Sequence, residues 1–351
     1  MKKKLRVAFQ LSRNTGASYA HCAKLLEDQQ PEHTMMLLCD GQPKNRPSNF
    51  LPLHHLRPSL SNEIMRRYWY TIQLPKWLER NQIDFFFGCD YRSTISNTAK
   101  TIITLAPPLN CSLQKLQKHC QQAYRVLIAN PLLASEIRST LPEMAEKIVE
   151  IPYGIENMLE PVDHEKKSAL LDKLTDGHEF FLCMAENQSN ESLLVLLKAF
   201  SLFKKWQHSH MKLILVLDEA PNKTFLQKLH NYKYRNDLIL LQHKDISHDL
   251  LSSAYACLAA GVAVKSTEAL LLRTGLPLIL PTDKFAAADY GDAVVFAEWN
   301  EQAISKQMIL LYKDEAYRSE IIEKLRRLLQ ERSWANVSEK IWQEVLLPAL
   351  A

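Results

Sequence analysis

The chain has very little glycine. Eight of its 351 residues are glycine, whereas an average protein of this length has about 25. It also lacks the GxGxxG and GxxxxGK(S/T) patterns, whose glycines let backbone amides approach the phosphates of dinucleotides and nucleoside triphosphates. These absences argue against a dinucleotide-dependent enzyme and against a P-loop NTPase.

Paired cysteines and metal-ligand clusters are also missing. The seven cysteines are scattered without a CxxC pair, and most lie in apolar runs, so we expect reduced thiols that pack as small hydrophobic side chains. The histidines at 54–55 and at 208 and 210 lie in polar or Pro-rich stretches without a cysteine or carboxylate at ligand spacing. The sequence therefore predicts neither a metal site nor a bound cofactor.

No segment approaches the run of about 18 to 20 apolar residues that crosses a bilayer. Residues 1–6 lead directly into a strand-like run and not into the apolar core of a signal peptide, so we expect a cytoplasmic protein. The formal net charge is only +4. This small excess does not favour nucleic-acid binding, and we expect residues 2–4, three lysines, to be solvated. Contact of these lysines with a membrane surface stays open.

Apolar, strand-like runs alternate with helical patterns along the whole chain. In the first half, strands are predicted at 5–11, 34–39, 83–87, 101–105, 124–129 and 147–151, with helices at 18–28, 62–81, 112–123 and from 132. Pro75 should kink or divide the helix at 62–81. In the second half, strands are predicted at 179–184, 212–217, 237–241, 258–264 and 276–280. Such alternation is typical of doubly wound α/β domains with parallel sheets.

A domain boundary is predicted within residues 151–167. This stretch, IPYGIENMLEPVDHEKK, combines two prolines, a glycine and mixed charge between a strand and a helix. We place the first domain at 1–160 and the second at 161–335. Ligands of doubly wound sheets bind at the carboxyl ends of the strands, so the cleft between two such domains is the natural site.

Several segments resemble the group 1 glycosyltransferases, which are retaining enzymes of the GT-B fold. The resemblance is carried in the second half by ESLLVLLKAFSLF (191–203), NDLILLQHKDISHDLLSSAY (236–255), RTGLPLILP (273–281), YGDAVVF (290–296) and YRSEIIEKLRRLLQERSW (317–334). It is thinner in the first half, in YWYTIQLPKWLERNQIDFFFG (68–88) and KIVEIPYGIE (147–156).

This resemblance implies two Rossmann-like domains whose parallel sheets face each other across a cleft. The domain at 1–160 would hold the acceptor, and the domain at 161–335 would hold a UDP-, GDP- or ADP-linked sugar. The amphipathic segment VSEKIWQEVLL (337–347) lies within the remaining residues, 336–351. We expect 336–351 to form a helix that crosses back to the first domain, as in other GT-B chains.

The resemblance also locates the donor site in this chain. An Arg and a Lys that offset the diphosphate charge in the family correspond to Glu186 and Glu191 here. Of the two family glutamates eight positions apart, the second, which holds the ribose, corresponds to Leu270, with Glu268 two residues away. The first falls in the acid-free run AAGVAV at 259–264.

Three further positions follow from the same resemblance. The family histidine near the transferred sugar corresponds to Leu105, and the Gly-rich turn after the first strand is reduced to Gly16 and Ala17. The segment at 242–246, which includes His243 and Lys244, takes the place where the family reads the base through main-chain atoms. These residues complete the predicted nucleotide-sugar site, and no catalytic residue can be assigned.

Each of these features also has a purely structural explanation. Gly275 can simply end a helix, and Glu268 can be a first-turn acid after capping residues at 266 and 267. The aromatic residues at 68–70 are more often core than a sugar platform, and the glutamates at 186 and 191 can be solvated.

Two functions remain open at this point. One is a glycosyltransferase with a rewired donor site. The other is a non-catalytic relative that serves as a partner or scaffold for another protein, such as an active glycosyltransferase. Fold resemblance alone does not choose between them.

Overall fold

The computed structural model describes residues 4–11, 18–39, 51, 53–55, 63–88, 99–107, 109, 112–185, 190–218, 223–260 and 265–350. The chain forms two compact units, Met1–Gly154 with Arg332–Ala351, and Ile155–Glu331. The first division falls at 154/155 and not at 160/161, because Ile155 lies in the core of the second unit. In addition, the Leu159 amide donates to the Arg273 carbonyl at 2.7 Å. The second division falls at 331/332, because Trp334 belongs to the core of the first unit.

The first unit is built on a parallel sheet of seven strands in the order β3-β2-β1-β4-β5-β6-β7. The strands are β1 (Arg6–Leu11), β2 (Thr34–Cys39), β3 (Leu53–His55), β4 (Phe85–Gly88), β5 (Lys100–Leu105), β6 (Arg125–Ile128) and β7 (Ile148–Glu150). The helices are α1 (Ser18–Gln29), α2 (Glu63–Tyr68), α3 (Leu74–Arg80), α4 (Leu113–Gln122) and α5 (Pro131–Thr140). The central strands are almost entirely buried, as expected for a parallel sheet covered on both faces.

The second unit has a parallel sheet of six strands in the order β10-β9-β8-β11-β12-β13. The strands are β8 (Phe180–Ala185), β9 (Lys212–Leu217), β10 (Leu238–Gln242), β11 (Ala256–Ala259), β12 (Leu278–Pro281) and β13 (Val295–Ala297). The helices are α6 (His164–Thr175), α7 (Asn190–Gln207), α8 (Lys223–His230), α9 (His248–Ser253), α10 (Lys265–Leu272), α11 (Lys284–Tyr290), α12 (Glu301–Lys313) and α13 (Glu315–Glu331). The predicted doubly wound α/β class is confirmed.

The C-terminal segment belongs to the first unit. Helix α14 (Trp334–Ile341) continues into a π-helical turn (Trp342–Leu346) and a short 3-10 turn (Leu347–Ala349). The Ser333 hydroxyl caps α14 by accepting from the Asn336 amide. The buried residues of this segment share one core cluster with β1 and α1. The return to the first unit thus rests on apolar packing.

The helical stretch from 63 to 80 departs from regular α-helical geometry just before Pro75, where a kink or division was predicted. Between α2 and α3 a π-helical turn (Trp69–Gln73) forms, and the Leu74 amide bonds to the Trp69 carbonyl, five residues back. Proline has no N–H to donate, and the π-helical turn ends two residues before Pro75. Trp69 and Tyr70 are buried at 0% and 8% exposure, so they are core residues, whereas Tyr68 is exposed.

Other differences from the prediction are local. His54 and His55 lie on the short strand β3, not in a loop, and the His54 ring is 5.3 Å from the Trp77 ring. The strand predicted at 258–264 is β11, which ends at 259, and residues 261–264 lie outside the described residues.

The described cysteines pack as small buried side chains, as predicted. Five cysteines are buried, and burial raises the pKa of the Cys22 and Cys183 thiols and raises that of Cys257 to about 12. Cys89 and Cys111 lie outside the described residues. Among the described residues, no three His, Cys, Asp or Glu side chains come together as a metal site. No helix in the described part of the chain is long and apolar enough to cross a membrane.

Candidate functional site

Each sheet reverses its strand order at one point. In the second unit, the chain runs outward from β8 to β10 on one side and from β11 to β13 on the other. The reversal therefore lies between β8 and β11, and the crevice beyond the carboxyl ends of these strands is where doubly wound sheets bind ligands. The connections that leave these two strands lead into α7 and α10.

Glu268 is the best-defined polar residue at this point of the second unit. It lies in the first turn of α10, where the positive end of the helix dipole stabilises a carboxylate. The Tyr290 hydroxyl, at the end of α11, donates to Glu268 Oε2 at 2.8 Å. Glu268 is half-buried, and the bond from Tyr290 fixes the orientation of its carboxylate.

The residues around Glu268 have other roles. Leu270 packs against the core of the second unit, which accounts for an apolar side chain at that position. Ser266 and Thr267 do not precede α10 as capping residues, since the helix already begins at Lys265. Thr267 is 3% exposed, and its hydroxyl has no hydrogen-bond partner among the described residues.

One of the two acids predicted near the diphosphate lies on the helix that follows β8. Glu191 is the second residue of α7 and is exposed to solvent. Glu186 lies outside the described residues. The structure thus places Glu191 and Glu268 on the two helices that follow the strands at the switch point.

The turn after β10 is closed by its own side chains. Residues His243–Asp245 form a 3-10 turn in which His243 and Lys244 are exposed. The Gln242 amide donates to Asp245 Oδ2 at 2.9 Å, and the Gln242 side chain accepts from the Asp245 amide. These two amides are therefore engaged within the turn.

In the first unit the strand order reverses between β1 and β4. Gly16 and Ala17, which follow β1, lie outside the described residues. Leu105 is the last residue of β5 and is 2% exposed, so its side chain is part of the core. A polar pair lies nearer the switch point, where Gln10 Nε2 of β1 donates to the Tyr70 hydroxyl at 2.8 Å.

Gly275 has a structural role that needs no ligand. It follows α10 with a φ of +66°, a conformation that glycine adopts without strain. A Cβ at this position would lie 2.6 Å from the Met158 sulfur. The Gly-Leu-Pro sequence therefore ends α10 and leads into β12.

Sequence reasoning missed Tyr290 and Gln10. Tyr290 lies within the segment YGDAVVF, but nothing local links it to a residue 22 positions earlier. Gln10 could have been found, because it is a polar residue within the apolar run that follows Arg6 in β1, and such a side chain needs a buried partner.

No protein-family model and no curated protein sequence matches the chain. Solved structures do match over its full length. A glycosyltransferase from Rickettsia africae is 15% identical, with 98% of this chain and 99% of that chain covered and a TM-score of 0.76. HepE from Anabaena in complex with UDP is 11% identical, with 98% and 100% covered and a TM-score of 0.72. The protein has the GT-B fold.

The GT-B fold does not by itself determine the reaction. A third match is a UDP-N-acetylglucosamine 2-epimerase, which is 11% identical, with 99% of this chain and 97% of that chain covered and a TM-score of 0.67. A function has to be argued from the site.

Proposed function

We propose that the protein is a glycosyltransferase that takes its sugar from a nucleotide-sugar donor, bound at the carboxyl edge of the sheet of the second unit. The observation that carries this proposal is the half-buried Glu268 carboxylate, held by Tyr290 at the start of α10 beside the switch point. Glu268 is two residues from the position where group 1 enzymes hold the ribose. Among the described acids, Glu268 lies near the switch point and is held by a side-chain hydrogen bond from Tyr290.

The chemistry of Glu268 suits a ribose. An ionised carboxylate accepts about four hydrogen bonds, and the neighbouring hydroxyls of a ribose are donors of the kind that it binds. Hydrogen bonds to a charged acceptor are stronger than neutral ones. Glu268 thus orients the nucleoside, and it makes no contact with the reacting bond.

Glu191 acts against the diphosphate in this arrangement. It occupies the first turn of a helix that starts near the same crevice, and like charges repel. Because the side chain is exposed, water screens this repulsion to a few-fold loss of affinity. Glu191 weakens donor binding without preventing it.

The donor nucleotide is UDP, GDP or ADP, and UDP is the first to test because HepE is a GT-B structure with bound UDP. The second candidate function is a non-catalytic partner or scaffold. It is favoured by Leu105, which by sequence resemblance corresponds to the family histidine and whose side chain is buried. The acceptor is not specified by either observation.

The test is a calorimetric titration of the full chain with UDP, GDP, ADP and their sugars. Glu268→Gln should lower the affinity for the preferred nucleotide about tenfold, which is the loss expected for a charged hydrogen-bond acceptor. The matched control is Glu191→Gln, which removes a repulsive charge and should therefore raise the affinity a few-fold. Tyr290→Phe should give an intermediate loss.

The outcomes separate the alternatives. No binding of any nucleotide, or equal effects of Glu268→Gln and Glu191→Gln, would contradict the proposed site. Binding without release of nucleoside diphosphate in the presence of candidate acceptors would favour the non-catalytic partner. Conversion of the sugar while it stays on the nucleotide would show an epimerase.

A further inference from the structure

The sheet of the second unit ends at β10, and this edge differs from the other sheet edges. β10 (Leu238–Gln242) has five residues, whereas the edge strands β3, β7 and β13 have three each. Its sequence, LILLQ, contains neither a charge nor a proline, which are the features that usually protect an exposed strand edge. All five residues are half-buried, whereas β9 beside them is buried throughout. Apolar surface is therefore left along β10.

The middle of β10 turns its backbone groups away from the sheet. At the start of β9, the Lys212 amide donates to the Glu179 carbonyl on the β8 side at 2.9 Å, so alternation along β9 points the backbone groups of Leu215 toward β10. In a parallel pair, the residue directly opposite points its own N–H and C=O outward, and Leu240 lies opposite Leu215. The N–H and C=O of Leu240 have no partner within the part of the chain that the structure describes.

Local turns close both ends of this edge. The Leu238 amide donates to the Arg235 carbonyl, and the Gln242 amide donates to Asp245 Oδ2 at 2.9 Å. Both amides point to the same side as the Leu240 amide, because each lies two positions from it. A partner strand can therefore pair with β10 only around Leu240, since the amides that a longer ladder needs are already bonded.

A second copy of the chain supplies the groups that this edge lacks. In an antiparallel pair, two opposite residues exchange both of their backbone bonds, so a twofold axis beside Leu240 gives its N–H and C=O partners in Leu240 of the other copy. Opposite side chains lie on one face of a sheet. The two Leu240 side chains then meet over one core cluster of the unit, and Ile239 meets Leu241 over the other.

The charges beyond the ends of β10 suit the same pairing. Arg235 and Asp245 are both exposed, and each lies five positions from Leu240. An antiparallel pair centred on Leu240 therefore brings Arg235 of each copy to the end where Asp245 of the other copy lies. Lys244, the lysine of this turn, comes opposite Asn236 and meets no like charge. The edge is thus complementary to itself in charge as well as in its backbone groups.

We propose that the protein forms a symmetric dimer in which the β10 strands of two copies pair in antiparallel orientation, centred on Leu240. Such a pairing uses the same surface on both copies, and it covers the long apolar edge. A strand of another protein would find the same single open amide without the matched charges. The short edge implies a weak dimer, with a dissociation constant in the micromolar range. This inference does not depend on the proposed transferase activity.

The experiment is analytical ultracentrifugation of the full chain over a range of concentrations, with two charge variants. Arg235→Asp and Asp245→Lys each place like charges at both ends of the pair, and each alone should weaken dimerisation about tenfold. An equimolar mixture of the two variants should restore it, because the new acid of one then faces the new lysine of the other. The matched controls are Lys313→Asp and Glu339→Lys, which reverse exposed charges on α12 and α14 and should dimerise as the wild type does.

Hydrogen exchange supplies a second readout for the same samples. Within residues 238–242, two amides face β9 and two are bonded in local turns, so only the Leu240 amide should gain protection as the dimer forms. A wild type that stays monomeric up to about 200 μM overturns the proposal. So do two variants that dimerise as well as the wild type, or a mixture that dimerises no better than either variant alone. A dimer in which the Leu240 amide gains no protection also overturns it, because the interface would then lie elsewhere.

Discussion

The C-terminal segment at 334–349, which returns to the first unit, should contribute strongly to the stability of that unit. Ile341, at the end of α14, is 1% exposed and lies in the core cluster that contains β1 and α1. Replacement of Ile341 by Ala removes buried atoms from the first unit, although position 341 is reached only after the whole second unit. The loss should therefore appear in the unfolding of the first unit.

The magnitude follows from the burial. A fully buried Ile→Ala change costs about 2 to 5 kcal/mol from lost transfer free energy and the remaining cavity, and a value near 3 kcal/mol is expected here because α14 packs directly against α1. With a urea dependence of about 2 kcal/mol per molar for a unit of this size, the midpoint should fall by about 1.5 M. Such a loss is a large part of the stability of an ordinary domain.

Tryptophan fluorescence during urea unfolding is the assay, because four of the six tryptophans belong to the first unit. These four are Trp69, Trp77, Trp334 and Trp342. The control is Glu344→Ala on the exposed side of the same segment, which should leave the midpoint within experimental error. The packing argument would be refuted if Ile341→Ala and Glu344→Ala changed the urea midpoint equally. It would also be refuted if the stability lost in Ile341→Ala appeared only in an unfolding transition without a change in fluorescence.

Two further predictions concern the charges of the second unit. The Asp237 carboxylate lies 2.9 Å from the Lys204 ammonium and 3.2 Å from that of Lys212, and both lysines are less than 10% exposed. Asp237→Asn leaves two buried cations without this partner and should cost about 3 to 5 kcal/mol, seen by calorimetry as a lower melting temperature; an unchanged melting temperature would contradict this. The bond from Lys324 lowers the pKa of Asp292 below its ordinary value. The ion pair between Asp292 and Lys324 stabilises the folded protein fully above about pH 4, and this contribution is lost as the pH falls through the pKa of Asp292 in the folded state. Lys324→Ala should therefore lower the melting temperature slightly at pH 7 but not at about pH 2. A difference that persists in acid would count against it.

The alternation of strands and helices was predictable because its signal is local. The strands at 34–39 and 212–217 were predicted with the bounds that the structure has, since continuous apolar runs buried on both faces can be recognised without knowing their neighbours. β3 was missed for the opposite reason. It has three residues between prolines and exists only because it pairs with β2.

The candidate site was predictable only in part. The sequence placed Glu268 near the start of a helix, because the acid and the surrounding pattern are neighbours in the chain. It could not show that Tyr290 holds this carboxylate or that Leu270 faces the core, since both depend on how α10 and α11 pack on the sheet. The predicted main-chain site after β10 likewise ignored the bond between Gln242 and Asp245.

By itself, the sequence determined the fold class, the order of the elements and the exclusion of Gly-rich phosphate loops, because periodicity and composition act over a few residues. The tertiary structure decided which strands meet at the switch points and which face of helix 63–80 stays exposed. It also decided that residues 332–351 complete the first unit. These features depend on apolar burial between segments far apart in the chain, and burial is fixed only when the whole core forms.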